Sequence, residues 1–148
     1  MLDIAGGKGE LTARLTMCQS IPVILIDPRK AHVERCYTDL VYKSLPKKWQ
    51  QRVSQRIKEE PNFVQTTLSS RYTQYTQIFD LTSVRSSPTL QTAIQQSSLL
   101  IGLHADSATE DIVTVALQYN KPFVVVPCYV FPNLFQQRRL IIYPFIYG

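Results

Sequence analysis

The chain reads as an α/β domain built on a doubly wound, mostly parallel sheet, and three observations predict it. Short apolar runs of strand type alternate with segments of helical period along the 148 residues. The continuous apolar strands have no hairpin sequence between them, so each crosses to a parallel neighbour through a helix, in the right-handed sense. A glycine-rich turn, with Gly6, Gly7 and Gly9, lies between the first strand and the first helix, where folds of this class bring bare backbone close to a ligand.

The elements follow in order. Met1 to Ile4 is the first strand, shorter than the usual five or six residues and starting almost inside the glycine turn, which suggests missing upstream sequence. Leu11, Leu15 and Cys18 recur at helical spacing, PVILID (Pro22 to Asp27) is a buried strand, and Val33, Cys36, Tyr37, Leu40 and Val41 mark one face of a second helix. Pro46 breaks that helix. Trp49, Val53 and Ile57 then form a narrow apolar stripe on a third, basic helix that stops before Pro61. Between Asn62 and Ser87 the pattern is weak, with FVQTTL and YTQIFDL both readable as strands. Ser87 before Pro88 is an N-cap with proline at the first helical position, leading into Leu90, Ala93 and Ile94. SLLIGLH is a buried strand, Ser107 with Glu110 makes a capping box ahead of Ala108, Ile112, Val115, Ala116 and Tyr119, and PFVVVPC is a further apolar strand.

Size and a 45% apolar content suit one domain spanning residues 1–148. Three widely spaced cysteines, with no CxxC pair, point to a reducing, intracellular and cytoplasmic setting and to no metal site. No apolar run approaches the length that spans a bilayer, so no membrane partner is expected. The net charge of +5 is uneven: between Asp39 and Glu59 stand Lys43, Lys47, Lys48, Arg52, Arg56 and Lys58 with no acid among them. Lys47, Lys48, Arg52 and Arg56 are candidate contacts to an RNA substrate, with Trp49, Tyr72 and Tyr75 as stacking groups; a solvated helix face is the other reading.

The glycine turn and Asp27, 18 positions beyond Gly9 at the close of the second strand, predict an adenosine-type ligand whose ribose hydroxyls donate to the Asp27 carboxylate. A dinucleotide fingerprint fits poorly, because its third glycine would be Thr12. Pro28 and Arg29, following that acid, are positioned to flank an adenine. Asp3, Asp27, His104 and Cys128 each stand at or just past the end of a predicted strand, which gathers them on one rim. His104 is the candidate base, oriented by Asp106 or Glu110, or else a histidine that merely finishes a strand. Cys128 is read as a small buried cysteine, with a thiolate nucleophile or a metal ligand beside His104 and Asp106 as the alternatives, and His32 as a surface residue.

The run Asp3, Ile4, Ala5, Gly6, Gly7, Lys8, Gly9 resembles the first motif of class I S-adenosylmethionine (SAM)-dependent methyltransferases, with Ala5 at the first glycine. GLHADSATEDIV and KPFVVVPCYVFP are similar to segments of eukaryotic methyltransferase-like proteins and, more distantly, of acceptor-stem transfer RNA 2′-O-methyltransferases, although Tyr129 replaces the second of two cysteines. The likeness covers both ends of the chain and hardly touches 43–97. It implies a Rossmann-like fold with SAM as cofactor. Asp3 would hold the amino-acid end, the backbone from Ala5 through Gly6, Gly7 and Gly9 would run beside the methionine part, and Asp27 would take the ribose. It also implies two further strands beyond LIIYPFIYG, so a fragment is expected. The function expected is methyl transfer to an unidentified acceptor, RNA among the candidates; the alternative is a catalytically inactive methyltransferase-like binding or scaffold protein, with a nicotinamide dinucleotide dehydrogenase a weaker third.

Overall fold

Backbone alternation in the two most central predicted strands sends side chains to both sides of one sheet. Leu2 and Ile4 join Leu90, Ile94, Ile112 and Val115 in one fully buried cluster, while Leu25, one position out of phase with Ile26, joins Ala13, Val33, Val41 and Leu68 in another. The structure, a computed structural model, describes residues 1–126. Its five strands are β1 (Leu2–Ile4), β2 (Val23–Ile26), β3 (Tyr72–Tyr75), β4 (Leu100–Leu103) and β5 (Phe123–Val126), in spatial order β3-β2-β1-β4-β5 and parallel throughout. This is the α/β, Rossmann-like doubly wound arrangement that the alternation predicts. Chain order reverses between β1 and β4, where Leu2 stands in register with Ile24 on one side and Leu100 on the other.

The helices cover both faces. On one lie α1 (Glu10–Cys18), a helical run formed by α2 (Val33–Cys36), a π-helical turn Tyr37–Val41 and α3 (Tyr42–Ser44), then α4 (Lys47–Glu59) and α5 (Phe63–Arg71). On the other lie α6 (Leu81–Ser86), α7 (Pro88–Gln96) and, after a 3₁₀ turn at Asp106–Ala108, α8 (Thr109–Gln118). Ser87 caps α7 as expected, its hydroxyl accepting from the Leu90 N–H at 3.3 Å with Pro88 at the start. The α8 face is also as predicted, with Ile112, Val115 and Ala116 fully buried.

Several elements differ from the sequence expectation. FVQTTL belongs to α5, and the strand it was expected to supply is Tyr72–Tyr75, overlapping only the start of YTQIFDL; Val64 and Leu68 are four apart and both enter the core, a spacing that serves a helix. The buried face of α1 is Thr12, Ala13 and Thr16 rather than Leu11, Leu15 and Cys18. Small residues allow close approach to β1, and the hydroxyls are satisfied locally: Thr16 donates to the Thr12 carbonyl at 2.6 Å. In the second helix the π turn adds a residue to the repeat, so Val41 is buried while Leu40 turns to solvent. The capping box is not what starts α8, because the 3₁₀ turn absorbs Ser107 and the N-cap is Ala108, which makes no side-chain cap. β5 is the outermost of the described strands on its side of the sheet, and Phe123, Val124 and Val126 are exposed. No helix among the described residues is long and apolar enough to cross a membrane.

These placements separate two substitutions that look alike in sequence. Ile112→Ala should lower stability by about 2–5 kcal/mol in urea unfolding, whereas Leu40→Ala should stay within about 0.5 kcal/mol of the parent.

Candidate functional site

The site is built where the sheet reverses. The carboxyl ends of β1 and β4 diverge there, and a cleft of about 520 Å³ opens beyond them. Asp3, Ala5, Gly6 and Gly7 form one wall, with Lys8 and Arg29 beside them, and Leu103 and His104 form the other. Six of the residues predicted from sequence therefore meet in one cavity: Asp3, Ala5, Gly6, Gly7, Arg29 and His104. Gly9, Asp27 and Pro28 do not line it.

Each wall ends on a left-handed residue. Ala5 has φ of 56° and His104 φ of 54°, immediately after β1 and β4. Ala5 is not glycine and still adopts a conformation that favours glycine, a strain of about 1–2 kcal/mol. Gly6 is required for a different reason: a Cβ there would collide with Leu25 Cδ1 and lie 2.7 Å from Asp3 Oδ2. Its bare backbone therefore forms cleft wall directly over the sheet.

Two buried carboxylates support this loop. Asp3 lies on the α1 side of β1, and its Oδ2 accepts from the Thr12 hydroxyl at 2.6 Å. Burial pushes its carboxyl above the usual range; the Thr12 hydrogen bonds oppose this, and the charge of Asp27 adds to it. Thr12 stands where a dinucleotide fingerprint has its third glycine, so the departure from that fingerprint supplies the partner of a cleft acid. Sequence reasoning noted the missing glycine but not the threonine's use, which depends on α1 facing β1.

Asp27 is only 1% exposed. Its Oδ2 accepts the Gly7 N–H at 2.9 Å, and its Oδ1 accepts the Arg29 N–H at 2.8 Å and Arg29 Nε at 3.2 Å. Burial alone would raise this carboxyl, but the Arg29 side-chain and backbone hydrogen bonds, the Gly7 N–H and the Arg29 charge outweigh it and hold it below the usual range. The loop after β2 is tied from its other side as well, since Gln74 of β3 donates to the Arg29 carbonyl at 2.8 Å and accepts from the Ala31 N–H at 3.1 Å.

Of the remaining candidates, Pro28 is exposed in the bend after Asp27, and His32 is exposed just before α2. Asp106 begins the 3₁₀ turn, but its side chain, like Cys128 and Tyr129, lies outside what is described. Among the described residues no group of His, Cys, Asp and Glu is arranged to hold a metal. The basic helix α4 buries no residue. Lys47 and Lys48 are exposed, Arg52 lies 5.0 Å over the Trp49 ring, and Arg56 is engaged by Glu60 at 3.1 Å and by the Phe63 ring. Arg14, in the cleft wall, reaches Ser44 at the end of α3 at 3.3 Å.

Comparison with protein families, curated proteins and solved structures finds no match for this chain.

Gly6→Ala should destabilise the fold by about 1–3 kcal/mol by thermal or urea unfolding, while Ala5→Gly should change it little, since relief of strain offsets the added chain entropy. Because the folded-state carboxyl of Asp27 sits below its unfolded value, its stabilisation is present near neutrality and is lost as the pH falls below about 4. Asp27→Asn should therefore show lower stability at pH 7 and a flatter acid limb in pH-dependent unfolding.

Proposed function

We propose that this domain binds S-adenosylmethionine in the β1–β4 cleft and transfers its methyl group to an acceptor. The observation that carries the reading is the meeting of an acid, exposed loop backbone and an imidazole at the reversal point of a parallel sheet. The residues present fit such a cofactor. The cleft is within the range of sites that bury a ligand of this size, Gly6 and Gly7 offer backbone without side chains, and Asp3 is a carboxylate suited to an ammonium group. In this reading Asp3 holds the amino-acid end, the loop from Ala5 to Gly9 lies along the methionine part, and Asp27 takes the ribose.

When bound, the cofactor supplies a methyl on a sulfonium, which needs no further activation. The chain's contribution is alignment, worth up to about 7–11 kcal/mol, and removal of a proton from an acceptor that carries one. His104 projects from the opposite wall and is the group to take that proton. RNA is the acceptor class the basic helix favours: Lys47 and Lys48 are exposed at the start of α4, next to the segment that Arg14 ties to the cleft.

Calorimetry with S-adenosylhomocysteine should give measurable binding that Asp27→Ala abolishes. Because Asp27 also anchors the loop, circular dichroism must show that variant folded. Transfer of tritiated methyl to cellular RNA, protein and small-molecule pools should label one of them. His104→Ala should reduce that labelling about 10²–10⁴-fold while leaving S-adenosylhomocysteine affinity within about twofold. Tight binding with no labelled pool would favour a scaffold role over an enzyme.

A further inference from the structure

The acid read as the ribose acceptor is covered by a neighbour. Asp27 is 1% exposed and absent from the cleft wall, whereas the side chain of Arg29 is 79% exposed and is part of that wall. A Cβ placed on Gly7 would meet Arg29 Nη2 at 4.0 Å, so the guanidinium extends over the glycine loop while its Nε bonds Asp27 Oδ1 at 3.2 Å. A carboxylate offers about four acceptor positions, two on each oxygen. Oδ1 has both taken, by the Arg29 N–H and Nε, and Oδ2 has one taken, by the Gly7 N–H.

Withdrawing Nε alone changes this arrangement in a particular way. Each oxygen then keeps one backbone N–H and has one free position, which matches the two hydroxyls of a ribose. The two backbone bonds hold the carboxylate in place, so the acid need not move for the diol to reach it. The bond that has to break at Asp27 is to a side chain 79% exposed, and ion pairs of such exposed groups are weak.

The geometry points to Arg29 as a gating residue that closes the ribose position of Asp27 and must swing out before an adenosine ligand can dock. This rests on the reading of Asp27 given above. Arg29 thereby sets the affinity for the sugar without itself contacting it, and cations or anions in solution that loosen the Arg29–Asp27 pair make the position more accessible.

The test uses the whole chain and adenosine, which carries no charge for Arg29 to meet, followed by NMR titration of ¹⁵N-labelled protein. Arg29→Ala and Arg29→Gln should each bind adenosine about two- to fivefold tighter than the parent, the range an exposed ion pair supplies. The gain should vanish with 2′,3′-dideoxyadenosine. Raising salt from about 0.05 M to about 0.5 M should tighten adenosine binding by the parent and leave the variants unchanged. If the parent binds adenosine but the variants bind it equally or more weakly, or gain equally for the dideoxy compound, Arg29 is no gate and the adenosine site still stands. If neither parent nor variants bind adenosine, the ribose role of Asp27 fails, and the gate fails with it.

Discussion

The buried carboxylate of Asp27 holds together the end of the molecule where ligands of this fold dock. It closes β2, accepts from the backbone of Gly7 after β1 and from Arg29 in its own following loop, and so binds two adjacent βα connections into one unit. A charge this deeply buried is tolerated because three N–H groups face it and a guanidinium lies beside it. Without it, the Gly7 N–H and the loop after β2 would each need another partner, and the left-handed backbone at Ala5 and Gly7 would lose part of what maintains it.

A second polar contact sets the other half of the floor. Thr12 and Asp3 bring α1 against β1 through a hydrogen bond instead of an aliphatic contact, and Thr16 follows one turn later. Polar residues thus occupy a helix face that elsewhere in this fold is apolar: α7 and α8 meet the opposite side of the sheet through Leu90, Ile94, Ile112 and Val115. The asymmetry has a functional consequence. Apolar clusters stabilise the sheet from both sides, and the Thr12 contact leaves a carboxyl, raised by its burial, on the floor of the cleft.

Where local chemistry decides conformation, the sequence was readable. Ser87–Pro88 needs only its own hydroxyl and ring to begin a helix, Pro46 and Pro61 delimit α4, and continuous apolar runs at Val23–Ile26 and Leu100–Leu103 have nowhere to go but a covered parallel sheet. The alternation of such elements established the fold class, and the glycine turn with its acids located the cleft residues Asp3, Ala5, Gly6, Gly7 and His104. Where conformation is decided by what packs against a segment, the sequence misled. Leu11 and Leu15 lost the core face of α1 to threonines because α1 lies close to β1, Leu40 lost its place to a π turn, and FVQTTL became helix because Val64 and Leu68 meet the core formed by α1 and α2.

Sequence by itself therefore determined that this is a parallel α/β domain with a glycine loop at its first strand, since periodicity and glycine's lack of a Cβ act residue by residue. Only tertiary structure decided which carboxylate lines the cleft. Asp3 and Asp27 are equally buried acids near strand ends, yet Asp3 lines the cleft while Asp27 lies off its wall, bonded by Arg29. The difference arises from the direction of the chain after each strand and the donors it brings near, which are properties of several segments folded together.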